Sequence, residues 1–531
     1  MSAANGSNRT NGSRPAPAAP DHEVAVIGAG LSGVGMGAAL LNAGIDDFVI
    51  FERADDVGGT WRANTYPGIG VDIPTFAYQF SYDMKPDWSR FFAKGGEVRS
   101  YVNGFTDRHG VRPHIRFDSE VRSRTWDEGR HLWRLDVAGR EVTARHVISA
   151  IGPFVDPKPH NVAGVDDFEG KVIHSARWDH DYDLAGKRVA IVGTGASAVQ
   201  IIPSIAREVG HLDVYQRTPI WIAPKFDPKI PKALQRLFAR VPFTERVVRW
   251  WTSLVVEWIV VTLPLNYSRV PVLARGIEAR LRFHLRRVIK DPELREKLTP
   301  RYGLGCKRPA VSNHYLQAFR RENVELVTDP IETVTAKGVR TAGGTEREVD
   351  ALILATGFRM AFDPEVFRRT PVRGRDGFDL ATSYRDERLR AYESISMPGL
   401  PNHFMIFGPY GWTGASWHVL VQTAATHIIR VIGEARQRDA TSVEVSEEAT
   451  DRYHRRIMGN LAGSVWSQPS CALANSYYFD HHGDVPYMRP TSGRAAAKAA
   501  RTFSLDDYSY GKLARGKPGG EERLTGAGVA R

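Results

Sequence analysis

Two copies of one pattern, an apolar strand, a glycine-rich turn, a helix and a second strand, predict an α/β fold; the copies begin at Val24 and Val189. A third observation, the basic and apolar stretch 221–301 with helical spacing, predicts a helical insertion between them and the rest of the chain. At 531 residues the chain is several times longer than a typical domain of about 150 residues, so two folded units plus an insertion fit and a small binding module does not. Hydrophobic residues make up 42% and charged residues 25%, the balance of an ordinary globular protein rather than a disordered or fibrous one.

Residues 1–20 contain no Leu, Ile, Val or aromatic side chain, so they cannot build a core and are expected to form a disordered tail without a secretory signal. Val24–Ile27 then forms a short strand, followed by Gly28-Ala29-Gly30-Leu31-Ser32-Gly33 and a helical run to Ala43. Gly28, Gly30 and Gly33 suit a tight turn whose backbone must approach a pyrophosphate at a helix N-terminus, where free amides favour anions. The next strand, Phe48–Phe51, ends in Glu52, a carboxylate placed to accept hydrogen bonds from ribose hydroxyls.

The second copy runs Val189–Val192, Gly193-Thr194-Gly195-Ala196-Ser197-Ala198 and a strand at Leu212–Tyr215. Here the residue 24 positions after the first glycine is Arg217, whereas at the same offset the first copy has Glu52. A guanidinium there suits a 2′-phosphate, so the first unit is read as an FAD site and the second as an NADPH site, with Gly193, Gly195, Ser197, Arg217 and Thr218 as cofactor contacts. Together the two patterns describe two Rossmann-like dinucleotide-binding domains with a helical insertion, and a hydride passed from nicotinamide to flavin.

Cys306 and Cys471 lie 165 residues apart, without CxxC or zinc-finger spacing. No cysteine pair is therefore expected near the flavin, which argues against a disulfide reductase and leaves dioxygen, a small acceptor or a protein partner to take the electrons. Asp480-His481-His482-Gly483-Asp484 has contiguous rather than converging ligands, and no metal is expected there.

Phe168-Glu169-Gly170-Lys171-Val172-Ile173-His174-Ser175-Ala176-Arg177-Trp178-Asp179 fits FxGxxxHxxxW followed by Asp. Gly59-Thr60-Trp61, Tyr66-Pro67-Gly68 and Asp72 make a second spaced motif. Together the two motifs resemble those of the Baeyer-Villiger monooxygenases, and the resemblance covers most of 21–490. It implies an enzyme that uses FAD, NADPH and dioxygen to insert one oxygen atom beside a ketone carbonyl, through a flavin peroxide, giving an ester or lactone. By the same resemblance Arg308 stabilises the reacting anion, Asp72 orients that arginine, Lys307 joins Arg217 and Thr218 around the 2′-phosphate, and Gly59, Thr60 and Trp61 belong to the flavin site. The fingerprint residues Phe168, Gly170, His174, Trp178 and Asp179 are expected to couple domain movement, His174 having a second reading as a linker histidine bonded to backbone. Thr65 and Tyr477-Tyr478 depart from the family pattern, and both departures bear on the substrate subgroup. A flavin monooxygenase of nitrogen or sulfur is the nearest alternative, and a non-catalytic membrane-surface protein on a retained flavin fold is a remoter one.

The strands 144–150 and 349–355 each end in a small-residue turn, as chain crossings between nucleotide domains do. The expected divisions are 21–155 and 385–495 for the FAD domain, 156–220 and 302–384 for the NADP domain, 221–301 for the insertion and 496–531 for a C-terminal tail. Within the insertion, Leu281, Leu285 and Val288 recur at helical spacing, and Trp250, Trp251 and Trp258 are expected to pack against the body, with the lining of an apolar substrate channel as the alternative. The apolar run there is too short for a membrane span and carries Glu257. The insertion holds 17 Lys+Arg and 7 Asp+Glu, an excess of 10 out of the chain's +11. With no nucleic-acid-reading motif, this local charge beside apolar residues points to a lipophilic ketone's entry surface or peripheral membrane contact, on a protein otherwise expected in the cytoplasm.

Overall fold

Four consecutive buried residues in each of His22–Ile27 and Phe48–Phe51 require cover on both faces of the sheet, the mark of a parallel doubly wound unit. The computed structural model describes residues 19–159, 162–412, 414 and 416–513; most of the expected N-terminal tail and the last 18 residues of the C-terminal one lie outside them. His22–Ile27 pairs in parallel with Phe48–Phe51 on one side and Arg140–Ser149 on the other, within an eight-stranded sheet that continues into an antiparallel ribbon through Leu132–Val137 and Val121–Asp127. His403–Met405 also pairs in parallel with Arg140–Ser149. The helix Leu31–Asn42 covers this sheet and is itself covered by Trp417–Gln437, whose Trp417 Nε1 donates to Ser32 Oγ at 2.8 Å.

The second unit is a five-stranded, all-parallel sheet in the order Val324–Val327, His211–Tyr215, Arg188–Val192, Ala351–Leu354 and Lys171–His174. Its glycine turn repeats the first in detail. Gly28 and Gly193 both take positive φ, 100° and 111°. A Cβ at Gly28 would lie 2.9 Å from the Ala150 carbonyl oxygen, and one at Gly193 would lie 2.6 Å from that of Ala355. In each unit the turn is thus pinned against the end of the strand beside it, and only glycine fits.

Between the sheets the chain crosses twice, at Phe154–Pro157 and Phe358–Met360, and the two crossings pair antiparallel. The return crossing comes earlier than expected. Phe362, Phe367, Val372, Leu380 and Tyr384 are buried in the first unit's core, and Val372–Arg373 pairs with Val121–Asp127. The chain therefore rejoins the first unit just after Met360 rather than at 385. The C-terminal limit also moves: Gly493–Thr502 is a helix, and Tyr508–Gly511 pairs with Ser442–Val445, so folded structure continues through 511. A short amphipathic helix and a four-residue strand are easily overlooked in an Ala-rich stretch.

The insertion is helical, with segments at Lys232–Arg240, Pro242–Glu257, Pro271–Val288 and Pro292–Lys297. Three of these begin with proline, whose fixed φ and missing N–H suit the first helical position. Leu281 and Leu285 are buried as their spacing requires. Trp250, Trp251 and Trp258 are not: they are 54%, 57% and 47% exposed, against the expectation that they pack on the body. The inward positions of their helix are taken by Glu245, Thr252 and Val256.

Cys306 and Cys471 form a disulfide with Cα atoms 5.0 Å apart, a pairing that their spacing in the sequence did not suggest. Spacing alone cannot reveal a pair that is made by the return of a remote segment. Closing a loop of 165 residues restricts the unfolded chain and contributes on the order of 4–5 kcal/mol in the chain-entropy account. Cys306→Ser is expected to lower Tm by several degrees, and a reductant to lower the Tm of wild type but not of the variant; equal melting of wild type and variant under oxidising conditions would contradict the bond.

Candidate functional site: two nucleotide sites facing one cavity

Glu52 follows directly on a strand of the first sheet and folds back over the glycine turn. Its Oε2 accepts from the Ala29 N–H at 2.7 Å and its Oε1 from the Ala54 N–H at 2.9 Å. The carboxylate is thereby fixed at the strand ends, where its remaining acceptor capacity meets a ribose. Gly59 closes over this turn: a Cβ on it would lie 2.9 Å from the Gly30 Cα. The one-turn helix Thr60–Ala63 follows, and Trp61 Nε1 donates to Tyr78 Oη at 2.9 Å. Gly28, Gly30, Gly33, Glu52, Gly59, Thr60 and Trp61 are thus gathered around one glycine turn, which fits FAD.

The second turn opens onto a cavity of about 1550 Å³ lined by Gly193, Gly195, Ser197, Arg217, Thr218, Lys307 and Arg308, and on its first-unit side by Thr60 and Trp61. A Cβ at Gly195 would meet nothing within 4 Å, so the turn presents free backbone to the cavity, the space a pyrophosphate needs. Thr218 is held from both sides, its carbonyl accepting from Thr194 Oγ1 at 3.0 Å and its hydroxyl from Asn475 Nδ2 at 2.9 Å. Beside it, burial and then the Arg217 charge bring Lys307 down to about 8. Two cations this close make a site that suits an anion, and a 2′-phosphate fits.

Tyr66-Pro67-Gly68 joins the two sites. Tyr66 is buried in the second unit's core, with Ser197 of the cavity wall beside its hydroxyl. Gln200 clamps Gly70, its Oε1 accepting from the Gly70 N–H at 3.2 Å and its Nε2 donating to the Gly70 carbonyl at 3.1 Å. Four residues after Gly68, Asp72 Oδ1 accepts from Arg308 Nη2 at 2.6 Å. The ion pair spans 236 residues of sequence, with Asp72 on the first unit and Arg308 where the chain leaves the insertion.

Burial opposes the Arg308 charge, but the Asp72 carboxylate outweighs it and holds the guanidinium protonated above the ordinary arginine range. Arg308 lies over Trp412 at 5.1 Å, Trp412 packs edge-on to Tyr487, and Tyr487 stacks on Tyr478. The Tyr477 and Tyr478 hydroxyls are raised, chiefly by burial, and stay neutral beside the guanidinium. The disulfide ties the loop of Lys307 and Arg308 to the segment bearing Cys471 and Asn475, which together line the far wall.

The fingerprint residues lie elsewhere. Lys171–His174 is the edge strand of the second sheet, Phe168 packs beneath it, and none of Phe168, Gly170, His174, Trp178 or Asp179 lines the cavity. His174 Nδ1 accepts from the Ala176 N–H at 3.1 Å, and Asp179 pairs with Lys171 at 2.5 Å. Thr65 bonds His180 at 2.8 Å. At the C-terminal motif, Asp480 Oδ1 accepts from the His482 and Asp484 N–H groups at 3.0 and 2.9 Å, serving its own turn. Another His and carboxylate cluster, His211 with Asp213 and Glu325, has Arg347 bonded to both carboxylates, so a guanidinium stands where a cation would sit. Gln200, Trp412, Asn475 and Tyr487 escaped the sequence reading, since each acts through a partner remote in the chain; only the Tyr477-Tyr478 doublet drew notice.

The family model described as "Pyridine nucleotide-disulphide oxidoreductase" matches residues 25–248. A Baeyer-Villiger monooxygenase of Pseudomonas aeruginosa is 38% identical over 496 residues, 92% of this chain and 90% of its own. Among solved structures, OTEMO in complex with FAD and NADP superposes with a TM-score of 0.82 at 26% identity, covering 93% of this chain and all of that one. Oxidised steroid monooxygenase bound to NADP gives 0.81 at 26% identity over 92% and 99%. With both nucleotide sites facing one cavity and an arginine held between them, the chain belongs to the Baeyer-Villiger monooxygenases, FAD- and NADPH-dependent enzymes that insert one atom of dioxygen next to a ketone carbonyl.

Proposed function

We propose that this enzyme oxygenates apolar ketones, with Arg308 as the catalytic residue, Asp72 as its positioning partner, and Lys307, Arg217 and Thr218 as the reader of the NADPH 2′-phosphate. The Arg308–Asp72 ion pair in the aromatic wall between two nucleotide sites carries the reading. Bound FAD supplies hydride acceptance from NADPH and activation of dioxygen.

What the chain supplies is charge, position and dryness. When a ketone carbonyl carbon is attacked, negative charge grows on its oxygen, and a fixed guanidinium beside it lowers that energy without surrendering a proton. Asp72 keeps the planar donor fork from turning away, and the 2.6 Å bond leaves Arg308's other N–H groups to face the cavity. Trp412, Tyr478 and Tyr487 exclude water from one side of the guanidinium, which strengthens its field. The aromatic surfaces of Trp412, Tyr478 and Tyr487 beside the guanidinium also suit a ketone with an apolar body. An electrophilic oxygenation of nitrogen or sulfur develops no such anion on its substrate, so the Asp72-held, half-buried arginine favours the ketone reaction over that alternative.

Arg308→Ala is expected to cut ester or lactone formation by about 10²–10³-fold while NADPH oxidation persists and ends in hydrogen peroxide. Product chromatography beside NADPH absorbance reads both, and undiminished ester would remove Arg308 from the chemistry. For the phosphate site, Arg217→Ala should erode the preference for NADPH over NADH by tenfold or more, about 1.4 kcal/mol. A bound phosphate favours the charged lysine, so raising the pH through about 8, where Lys307 loses its proton, should raise KM for NADPH but not for NADH. Parallel pH profiles for the two coenzymes would place the phosphate elsewhere.

A further inference from the structure

The helix Pro242–Glu257 is built inside out. Val247, Trp251, Val255 and Ile259, four residues apart along this helix and the turn that continues it, are all exposed, and Trp250 and Trp258 widen the stripe. On the opposite side Glu245 is buried and accepts from Gln79 Nε2 at 2.9 Å, with Thr252 buried two turns further on. A surface helix normally turns its apolar stripe inward. Here Glu245 and Thr252 share the protein-facing side with Val248 and Val256, while the stripe of indole and aliphatic side chains faces out, in a patch that water does not favour.

We infer that this face docks on an anionic lipid bilayer, the helix lying in the plane of the headgroups. Charge complementarity identifies the partner. Arg240, Arg246, Arg275, Arg280, Arg286 and Arg287 of the same insertion are exposed, and none makes an ion pair among the described residues. Tryptophan prefers the level where acyl chains meet headgroups, and arginine pairs with lipid phosphate. A second copy of the chain would bring an equal excess of ten positive charges against the first, which disfavours a symmetric dimer through this face. The helical segment Pro242–Leu265 extends beyond the apolar run, and its 24 residues are, against the expectation, long and apolar enough to span a membrane; Glu245 on the body and the buried Val261, Leu263 and Pro264 bind one side of it to the protein, so it lies on the bilayer rather than crossing it.

The far end of this segment reaches the catalytic loop. A Cβ on Gly414 would lie 2.8 Å from Val261, and one on Gly305 would lie 3.5 Å from Pro264. Gly414 follows Trp412 by two residues, and Gly305 precedes the Cys306–Arg308 segment. The docked face and both walls around Arg308 therefore belong to one packed unit, which would bring a membrane-dissolved ketone to the cavity; this second consequence rests on the apolar-ketone reading, whereas docking itself does not.

The test uses the full-length, FAD-loaded enzyme in co-sedimentation with vesicles of phosphatidylcholine alone or of equal parts phosphatidylcholine and phosphatidylglycerol. Wild type should bind the anionic vesicles about tenfold more tightly than the neutral ones. Trp250→Ser/Trp251→Ser/Trp258→Ser should lose about tenfold in binding to anionic vesicles, and Arg240→Gln/Arg246→Gln/Arg280→Gln/Arg286→Gln should lose the anionic preference. Both variants should keep wild-type turnover of a water-soluble ketone, which separates loss of docking from loss of the enzyme reaction. Blue-shifted tryptophan fluorescence of wild type on adding vesicles, quenched by brominated acyl chains, gives a readout that needs no variant. Absence of vesicle binding, unchanged binding in the tryptophan variant, or a wild-type dimer that this variant converts to monomer would each overturn the proposal, the last by assigning the face to a second copy.

Discussion

The bond from Arg308 to Asp72 is the constraint around which the site is arranged. An arginine set against aromatic rings is costly unless a carboxylate compensates it, and here the carboxylate arrives from the other nucleotide unit. That dependence gives the relative placement of the two units a chemical consequence. The burial of Tyr66 in the second unit's core and the Gln200–Gly70 bonds hold the same short loop to the second unit a few residues before Asp72. The disulfide holds the Arg308 loop from the other side. Charge, loop contacts and cross-link converge on the seven residues from Tyr66 to Asp72 and the three from Cys306 to Arg308.

The two nucleotide sites show how a single local grammar is adapted. Gly28 and Gly193 are pinned by the same contact against equivalent strand ends, yet at the matched offset one site has a backbone-anchored carboxylate and the other an exposed guanidinium. Lys307 then comes in from beyond the insertion to complete the second. The insertion thus does more than lengthen the chain: its end delivers Lys307 and Arg308 to the cavity, while its exposed helix carries the surface that the fold leaves apolar.

Much of this was legible in the residue order, for a physical reason. A glycine turn, its flanking strand and the charged residue that ends the next strand lie within about 30 residues, so Glu52 and Arg217 announce themselves locally. Asp72 and Arg308 were accessible through the family motifs, and the structure joins them by a direct bond. The tryptophans of the insertion were misplaced because periodicity reports which residues share a helix face but not which face looks inward; that was decided by Glu245 finding Gln79. The Cys306–Cys471 bond, the Asn475 contact to Thr218 and the early return at Met360 are made by segments far apart in sequence, and no local pattern encodes them.

A double-mutant cycle on Asp72 and Arg308 tests the central claim most directly. Initial rates of ester formation at saturating NADPH would be compared for wild type, Asp72→Ala, Arg308→Ala and the double variant, each with FAD occupancy verified by absorbance. If Asp72 acts through Arg308, removing it from the Arg308→Ala enzyme costs almost nothing further, and the coupling energy nearly equals the effect of Asp72→Ala alone. Independent, multiplying losses would contradict the account, because the two residues would then serve separate tasks and the bond between them would be incidental to the chemistry.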